Sequence, residues 1–180
     1  YIKMSLKGIF TGFHKKIIEK AGSDAKIRYW RKKGMKIGEN CHLETMAFST
    51  EPYLVEIGNN VAIAYGTNLV THDGGIWCMR NDLKDGDIFG KIKIGNNVFV
   101  GMNSIILPNT VIGNNCIIGA GSVLRGRYPD DSVIIGNPAK VVMKMSVQKL
   151  LYSQNPGLLS TKNIPDSQKE KIIKKHFGIL

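Results

Sequence analysis

His72, in the run Thr71-His72-Asp73-Gly74, is the residue of this 180-residue chain best placed to move a proton at neutral pH. An imidazole titrates close to the operating pH, so its neutral form can take a proton from a weakly acidic group as a new bond forms. Asp73 adjoins it, but neighbours on an extended strand point to opposite sides, which argues against Asp73 as a partner of the same ring. Glu51 can approach His72 from an adjoining face and fix its tautomer, or it can make a structural salt bridge or corner contact. His14, His42 and His176 read as ordinary solvated or structural histidines. Cys41, Cys78 and Cys116 are odd in number and far apart. They argue against a disulfide framework or a metal site, and for a reducing cytoplasm. Cys41 and Cys116 read as core filler.

The elements that position His72 announce themselves by a six-residue beat. From Ile94 an aliphatic residue returns at Val100, Ile106, Ile112, Ile118 and Leu124. Glycine follows at Gly95, Gly101, Gly113 and Gly119, and small or β-branched residues sit four places on, at Val98, Ser104, Thr110, Cys116 and Ser122. The beat also marks Ile57, Ile63 and Leu69, and more faintly Ile37 and Leu43. Six fits neither a 3.6-residue helix nor simple strand alternation. It fits a coil of short flat faces, the short-period self-similarity of β-solenoids. The glycines suit sharp turns or positive φ, and the pairs Asn59-Asn60, Asn96-Asn97 and Asn114-Asn115 suit corners. Between Leu69 and Ile94 the phase breaks. Residues 73–91 read as a loop extruded from one corner, with His72 at its base, and long loops in compact domains are usually functional.

Residues 37–144, including the closing Ile135-Gly136-Asn137-Pro138-Ala139-Lys140-Val141, closely resemble the hexapeptide-repeat acyltransferases. The wording Thr71-His72-Asp73-Gly74, with Glu51-Pro52-Tyr53-Leu54-Val55 upstream, looks like the branch that acetylates sugars and cell-surface polysaccharides. The resemblance implies a mainly β protein: a left-handed parallel β-helix of hexapeptide repeats, three to a coil, with N-terminal and C-terminal helices. It puts Ile94 over Ile112, Val100 over Ile118 and Ile106 over Leu124. It makes His72 the catalytic base in direct transfer from acetyl-CoA to a hydroxyl, in a homotrimer with one active site at each subunit cleft. Donor contacts are then expected from Gly101, Met102, Gly119 and Ala120, and phosphate contacts from Arg125, Arg127, Lys140 and Lys144, since phosphate favours Arg and Lys. The family often has Thr-Lys where this chain has Arg125-Gly126, which leaves the phosphate ligand open. Asp73, Trp77, Arg80 and Phe89 are the expected acceptor contacts. Trp77 and Phe89 could instead anchor the loop on a neighbouring subunit.

Charge divides the chain into the same parts. The net charge is +11, yet residues 1–36 carry eleven Lys/Arg against Glu19 and Asp24, and residues 140–180 carry eight lysines against Asp166 and Glu170. Between them the repeats hold six basic and ten acidic residues. The expected organisation is a basic helical segment 1–36, a β-helix 37–144 and a helical tail 145–180. Residues 4–20 form an amphipathic pattern with Leu6, Ile9, Phe10, Phe13 and Ile17 on one stripe. Such a helix could cover the open end of the coil or touch an anionic membrane surface at its inner face. Nucleic-acid binding is not indicated, because no motif accompanies the charge. Helical patterning returns at 145–154 and 166–177, with Asp166 or Ser167 as a cap. The lysine-broken opening does not read as a secretory leader, and no apolar run reaches the roughly 18 residues of a membrane span.

The expected function is acetyl-CoA-dependent O-acetylation of a sugar or polysaccharide precursor, in the cytoplasm. The alternatives are N-acetylation of an amino sugar nucleotide, disfavoured because no nucleotide-binding domain precedes the coil, and a non-catalytic β-helix scaffold. Zinc chemistry of the three-histidine kind is disfavoured because the coil holds only His42 and His72.

Overall fold

The computed structural model describes residues 17–179. They fall into two compact units, one ending at Met145 and the other beginning at Ser146.

The first unit is a three-faced parallel coil, because each inward aliphatic residue lands on its counterpart one turn away. The first face stacks β1 (Lys36–Ile37), β3 (Val55–Ile57), β8 (Ile92–Ile94), β11 (Thr110–Ile112) and β14 (Arg127–Tyr128). The second stacks β2 (His42–Leu43), β4 (Val61–Ile63), β9 (Val98–Val100), β12 (Cys116–Ile118) and β15 (Ser132–Gly136). An antiparallel closing strand, β16 (Ala139–Lys144), follows β15. The third stacks β5 (Asn68–Leu69), β10 (Ile105–Ile106) and β13 (Val123–Leu124), and Phe48 extends it by one bridge to Leu69. The register places Ile94 beside Ile112, Val100 beside Ile118 and Ile106 beside Leu124, as the beat requires. Leu43, Ile63, Val100, Ile106, Ile118, Leu124 and Ile134 are wholly buried along this dry core.

Two kinds of residue let successive coils lie at strand spacing, about 4.8 Å. The recurrent glycines do so by having no side chain: a Cβ on Gly58 would lie 2.7 Å from the carbonyl oxygen of Gly95. Positive φ, one of the two readings open for these glycines, falls instead at the asparagines expected at the corners. Asn40, Asn60, Asn97 and Asn115 all have φ between 54° and 56°. Their side chains form a ladder up one corner: Asn40 donates to Asn60 at 2.9 Å, Asn60 to Asn97 at 2.7 Å, Asn97 to Asn115 at 2.9 Å and Asn115 to Asp131 at 3.1 Å. On the neighbouring rungs Asn59, Asn96, Asn114 and Asp130 each accept a backbone N–H from the coil before. Asparagine tolerates the left-handed region and carries both a donor and an acceptor, so it satisfies the corner twice.

The open end of the coil is closed by α1 (Ser23–Lys32), which lies within the basic helical segment expected over 1–36 but beyond its amphipathic stretch 4–20. Its Ile27 and Trp30 are buried, and Trp30 meets Phe48 edge-on at 4.8 Å between ring centres. Its side chains also occupy the unpaired strand edge. Ser23 Oγ accepts the N–H of Leu43 at 2.7 Å, and Arg31 donates to the carbonyls of Ile37 and Gly38 at 2.8 and 2.7 Å. Lys26, 4% exposed, points its ammonium at the Glu44 carboxylate 3.6 Å away. An exposed parallel edge would template pairing with other chains, and this helix removes that hazard. The segment expected to do so, 4–20, lies outside the described residues up to residue 16. Residues 17–19 are helical.

In the second unit, α2 (Met145–Ser153) and α3 (Asp166–His176) are joined through Asn155-Pro156-Gly157. The cap of α3 is Pro165 without a side-chain bond, so neither Asp166 nor Ser167 caps it. Asp166 instead stands in the first turn, with Lys174, Lys175 and His176 in the last, as the helix dipole favours. No helix among the described residues is long and apolar enough to cross a membrane.

The asparagine ladder makes a measurable claim. Asn97→Gly keeps the left-handed backbone and loses two side-chain hydrogen bonds, so it should cost about 1–2 kcal/mol. Asn97→Ala loses the same bonds and adds a left-handed alanine, about 1 kcal/mol more. Chemical denaturation of both variants should rank them wild type, Gly, Ala, and equal stability of the two variants would deny the φ requirement.

Candidate active site

Two insertions into the hexapeptide beat fall on one corner of the coil, where the third face gives way to the first. In the first coil Phe48 and Ile57 are nine positions apart where the repeat needs six. The extra residues form a single 3₁₀ turn, Pro52–Leu54, preceded by Glu51. In the second coil the chain leaves the same corner at Thr71-His72. Its exit and return form an antiparallel ribbon of β6 (His72–Asp73) and β7 (Ile88–Phe89). The return is tight: the N–H of Gly90 donates to the Thr71 carbonyl at 2.8 Å, and a Cβ on Gly90 would lie 2.6 Å from the backbone nitrogen of Asn109. Only glycine closes the loop there.

The stacking sets Glu51 beside His72. Glu51 Oε2 lies 3.1 Å from His72 Nδ1 and accepts from Thr71 Oγ1 at 2.8 Å, while its Oε1 accepts from Thr50. The Glu51 side chain is only 13% exposed, against 47% for His72. Burial pushes the Glu51 carboxyl up, but the bonds from Thr50, Thr71 and His72 together outweigh it and hold it below its ordinary range. An ionised carboxylate only accepts, so the proton between the two groups sits on Nδ1, and in the neutral imidazole that leaves the lone pair on Nε2. Thr71, fully buried and missed by the sequence reasoning, is held by Ser49, whose Oγ accepts its N–H at 2.9 Å. The inserted turn at Glu51-Pro52 was the signal that could have found this corner.

Asp73 turns away from the ring. Its Oδ1 accepts the N–H of Gly75 at 2.9 Å and opens the 3₁₀ turn Gly74–Met79; its Oδ2 lies 3.2 Å from Arg125 Nη2. The Gly75 N–H, then the Arg125 guanidinium, lower its carboxyl from the ordinary value. Arg80 is used inside the loop, donating to Asp87 at 2.6 Å and to the carbonyl of Gly86. A cleft of about 310 Å³ opens between Glu51, His72, Asp73, Trp77, Arg80 and Phe89, with Asp87 and Ile88 completing its wall. Trp77 is 80% exposed there, on a turn whose Ile76 is buried.

The remaining expected site residues lie elsewhere on the coil. Gly101, Met102, Gly119 and Ala120 stack on the corner between the second and third faces, where Gly121 donates to the Met102 carbonyl at 2.8 Å. Arg127 pairs with Val111 on the first face. Lys140 and Lys144 lie on β16 opposite Ile135 and Ser132. Among the cationic residues expected to bind phosphate, the chain brings only Arg125 to the corner of His72. Among the described residues no three His, Cys, Asp or Glu side chains gather as a metal cluster.

A three-faced hexapeptide coil with a histidine at the root of an extruded loop defines a class of transferases, and comparison with known proteins bears on it directly. The family model for bacterial transferase hexapeptides (six repeats) matches residues 91–126. Protein CapG of Staphylococcus aureus is 42% identical over 143 residues, spanning 78% of this chain and 81% of CapG. The galactoside O-acetyltransferase of Escherichia coli (strain K12) is 30% identical over 112 residues, 61% of this chain and 54% of that protein. The crystal structure of a maltose O-acetyltransferase from Clostridium difficile 630 superposes with a TM-score of 0.55 at 27% identity, covering 72% of this chain and 81% of that one. The chain belongs to the hexapeptide-repeat acetyltransferase family, with its left-handed parallel β-helix. It is an acetyltransferase with O-acetyltransferase relatives.

Glu51 has a depressed folded-state pKa, so its contribution to stability is present above the unfolded value of about 4.3 and is lost as pH falls through the folded value. Glu51→Gln should therefore melt below wild type at pH 7, and the gap should close as pH falls below about 4.3. Thermal melts across that range check the sign: a gap that widens towards low pH would mean the carboxyl is not held ionised.

Proposed function

We propose that the protein transfers an acetyl group from acetyl-CoA to a hydroxyl of a sugar or cell-surface polysaccharide precursor, with His72 as general base. The observation that carries this reading is the Glu51–His72 pair lining the cleft, with Nδ1 of the imidazole 3.1 Å from the carboxylate. The sugar acceptors named in the galactoside and maltose relatives support the substrate class. The wording around His72 supports the polysaccharide branch.

His72 Nε2 takes the proton from the acceptor hydroxyl as that oxygen attacks the thioester carbonyl. Glu51 holds the imidazole in the tautomer that can do so and stabilises the imidazolium formed. The proton then leaves the imidazolium for the departing thiolate, so His72 begins and ends neutral. Acetyl-CoA supplies an already activated acyl group, which is why no serine or cysteine nucleophile is required. The stacked corner at Met102 and Ala120-Gly121 fits an extended donor arm: Met102 and Ala120 are exposed, and nothing stands within 4 Å of the missing Gly121 Cβ. That corner and the His72 corner are different edges of the same coil, which suits a homotrimer in which neighbouring chains each supply one wall. Three free thiols, Cys41, Cys78 and Cys116, suit a reducing cytoplasm.

Calorimetric titration with acetyl-CoA should give binding near one equivalent per chain, and light scattering should give the mass of a trimer. Turnover is read as thiol release with a panel of p-nitrophenyl glycosides. His72→Ala should lower it about 10²–10⁴-fold while mass and donor binding stay unchanged. Full activity in that variant would remove His72 from the mechanism, and a folded trimer that binds no acetyl-CoA would favour a scaffold.

A further inference from the structure

Beyond the loop's own bonds, the hydrogen bonds of residues 71–73 divide between two different coils. Thr71 and His72 are tied down to the first coil, through Ser49 and Glu51. Asp73 is tied up to the fourth, through Arg125, 52 positions later in the chain. Arg125 occupies the rung that follows Leu124. On the same column the preceding coils carry Val70 and Leu107, both half-buried and neither charged. A guanidinium at this rung must span two strand spacings, about 10 Å, to reach the second coil's exit. Asp73 meets it part-way, and a long side chain with a planar fork suits that span.

We propose that Arg125 is a positioning residue for the acceptor loop: its ion pair with Asp73 fixes the segment leaving His72, and so sets the cleft wall carrying Trp77. This replaces the expectation that Arg125 binds a coenzyme phosphate, and it rests on the reading of His72 as base. The same Asp73 side chain that takes Arg125 also starts the Gly74–Met79 turn, so the pair sets both the direction and the first turn of the loop. With side chains 59% and 38% exposed, the bridge is too open to water to matter for global stability. Its effect is local. A segment leaving a two-residue ribbon has few other restraints close to the catalytic ring, and a 1 Å drift there is enough to spoil a near-attack geometry.

The experiment is a double-mutant cycle on the full chain with Arg125→Gln and Asp73→Asn, the latter keeping an oxygen for the Gly75 N–H. Three readouts are taken: amide hydrogen exchange of peptides within 72–90, the acetyl-CoA dissociation constant by calorimetry, and kinetics on the glycoside that scores best in the acceptor panel. Each single variant should speed exchange in the loop at least fivefold, raise the acceptor KM about tenfold and leave the acetyl-CoA constant within twofold. The double variant should be no worse than either single one, because both remove one interaction. Arg125→Lys should restore part of the exchange protection. An acetyl-CoA constant raised tenfold by Arg125→Gln, with loop exchange unchanged, would overturn the proposal and return Arg125 to the coenzyme. Effects that multiply in the double variant would overturn it too. Exchange and donor binding need neither turnover nor a known acceptor, so they decide the matter even if His72→Ala proves active and the base assignment fails.

Discussion

The described coil answers to one demand: three short faces must lie in register on the three faces of the coil before. A parallel stack only two or three residues wide has no lateral sheet to fall back on, so each rung must find its partner at strand spacing. The inward aliphatic column supplies the dry contact, and a residue with a side chain where Gly58 stands would push two coils apart. The buried hydroxyls follow from the same demand. Thr45 donates to the Thr67 carbonyl and Thr67 to that of Gly101. Ser104 and Ser122 both reach the Gly119 carbonyl. A corner carbonyl turned inward has no strand partner, and a small hydroxyl is the least bulky group that can satisfy it.

Such a stack tolerates irregularity only where it can be expelled sideways. An insertion on a face would shift the register of everything after it, whereas one at a corner bulges outward and the next face resumes in phase. Both insertions in this chain, the Glu51-Pro52 turn and loop 73–91, sit on one corner, one coil apart. The regular repeat therefore brings the irregular residues together: Glu51 lies under His72 because the coil stacks, not because either residue seeks the other. Chemistry collects where the repeat fails. A reader of the sequence can see each failure separately, as a lost beat, but the shared corner emerges only once the faces are counted.

That difference explains what was legible. The column from Ile94 to Leu124, the loop and its histidine all follow from spacing, since spacing is what a coil obeys. For the glycines a sharp turn and a left-handed backbone were both open, because composition cannot separate a residue chosen for φ from one chosen for the absence of Cβ. Asn97 and Gly58 divide those two tasks. Helix α1 falls within the basic helical segment expected over 1–36, but its place over the end of the coil was not legible. Its job depends on side chains reaching strand-edge carbonyls, a contact with no periodic signature. The resemblance offered Arg125, Arg127, Lys140 and Lys144 together, and the spacing could not show that they sit on three separate surfaces of the coil.

The two carboxylates next to the imidazole are held ionised by different donors, and the difference assigns their roles. Glu51 is nearly buried and accepts from Thr50, Thr71 and His72, so it cannot rotate away without breaking three bonds, and those bonds favour its ionised form. Asp73 is more open and spends its acceptors on its own turn and on Arg125, none of them the ring. Exchanging the two would fail on geometry: a residue adjacent to His72 on a strand points to the other side, and only a group from another coil can meet Nδ1. On the proposed reading, orientation of the base then comes from the stack, through Glu51, and orientation of the loop from Asp73. The corner draws its side chains from the first, second and fourth coils, so a shorter stack would not assemble it.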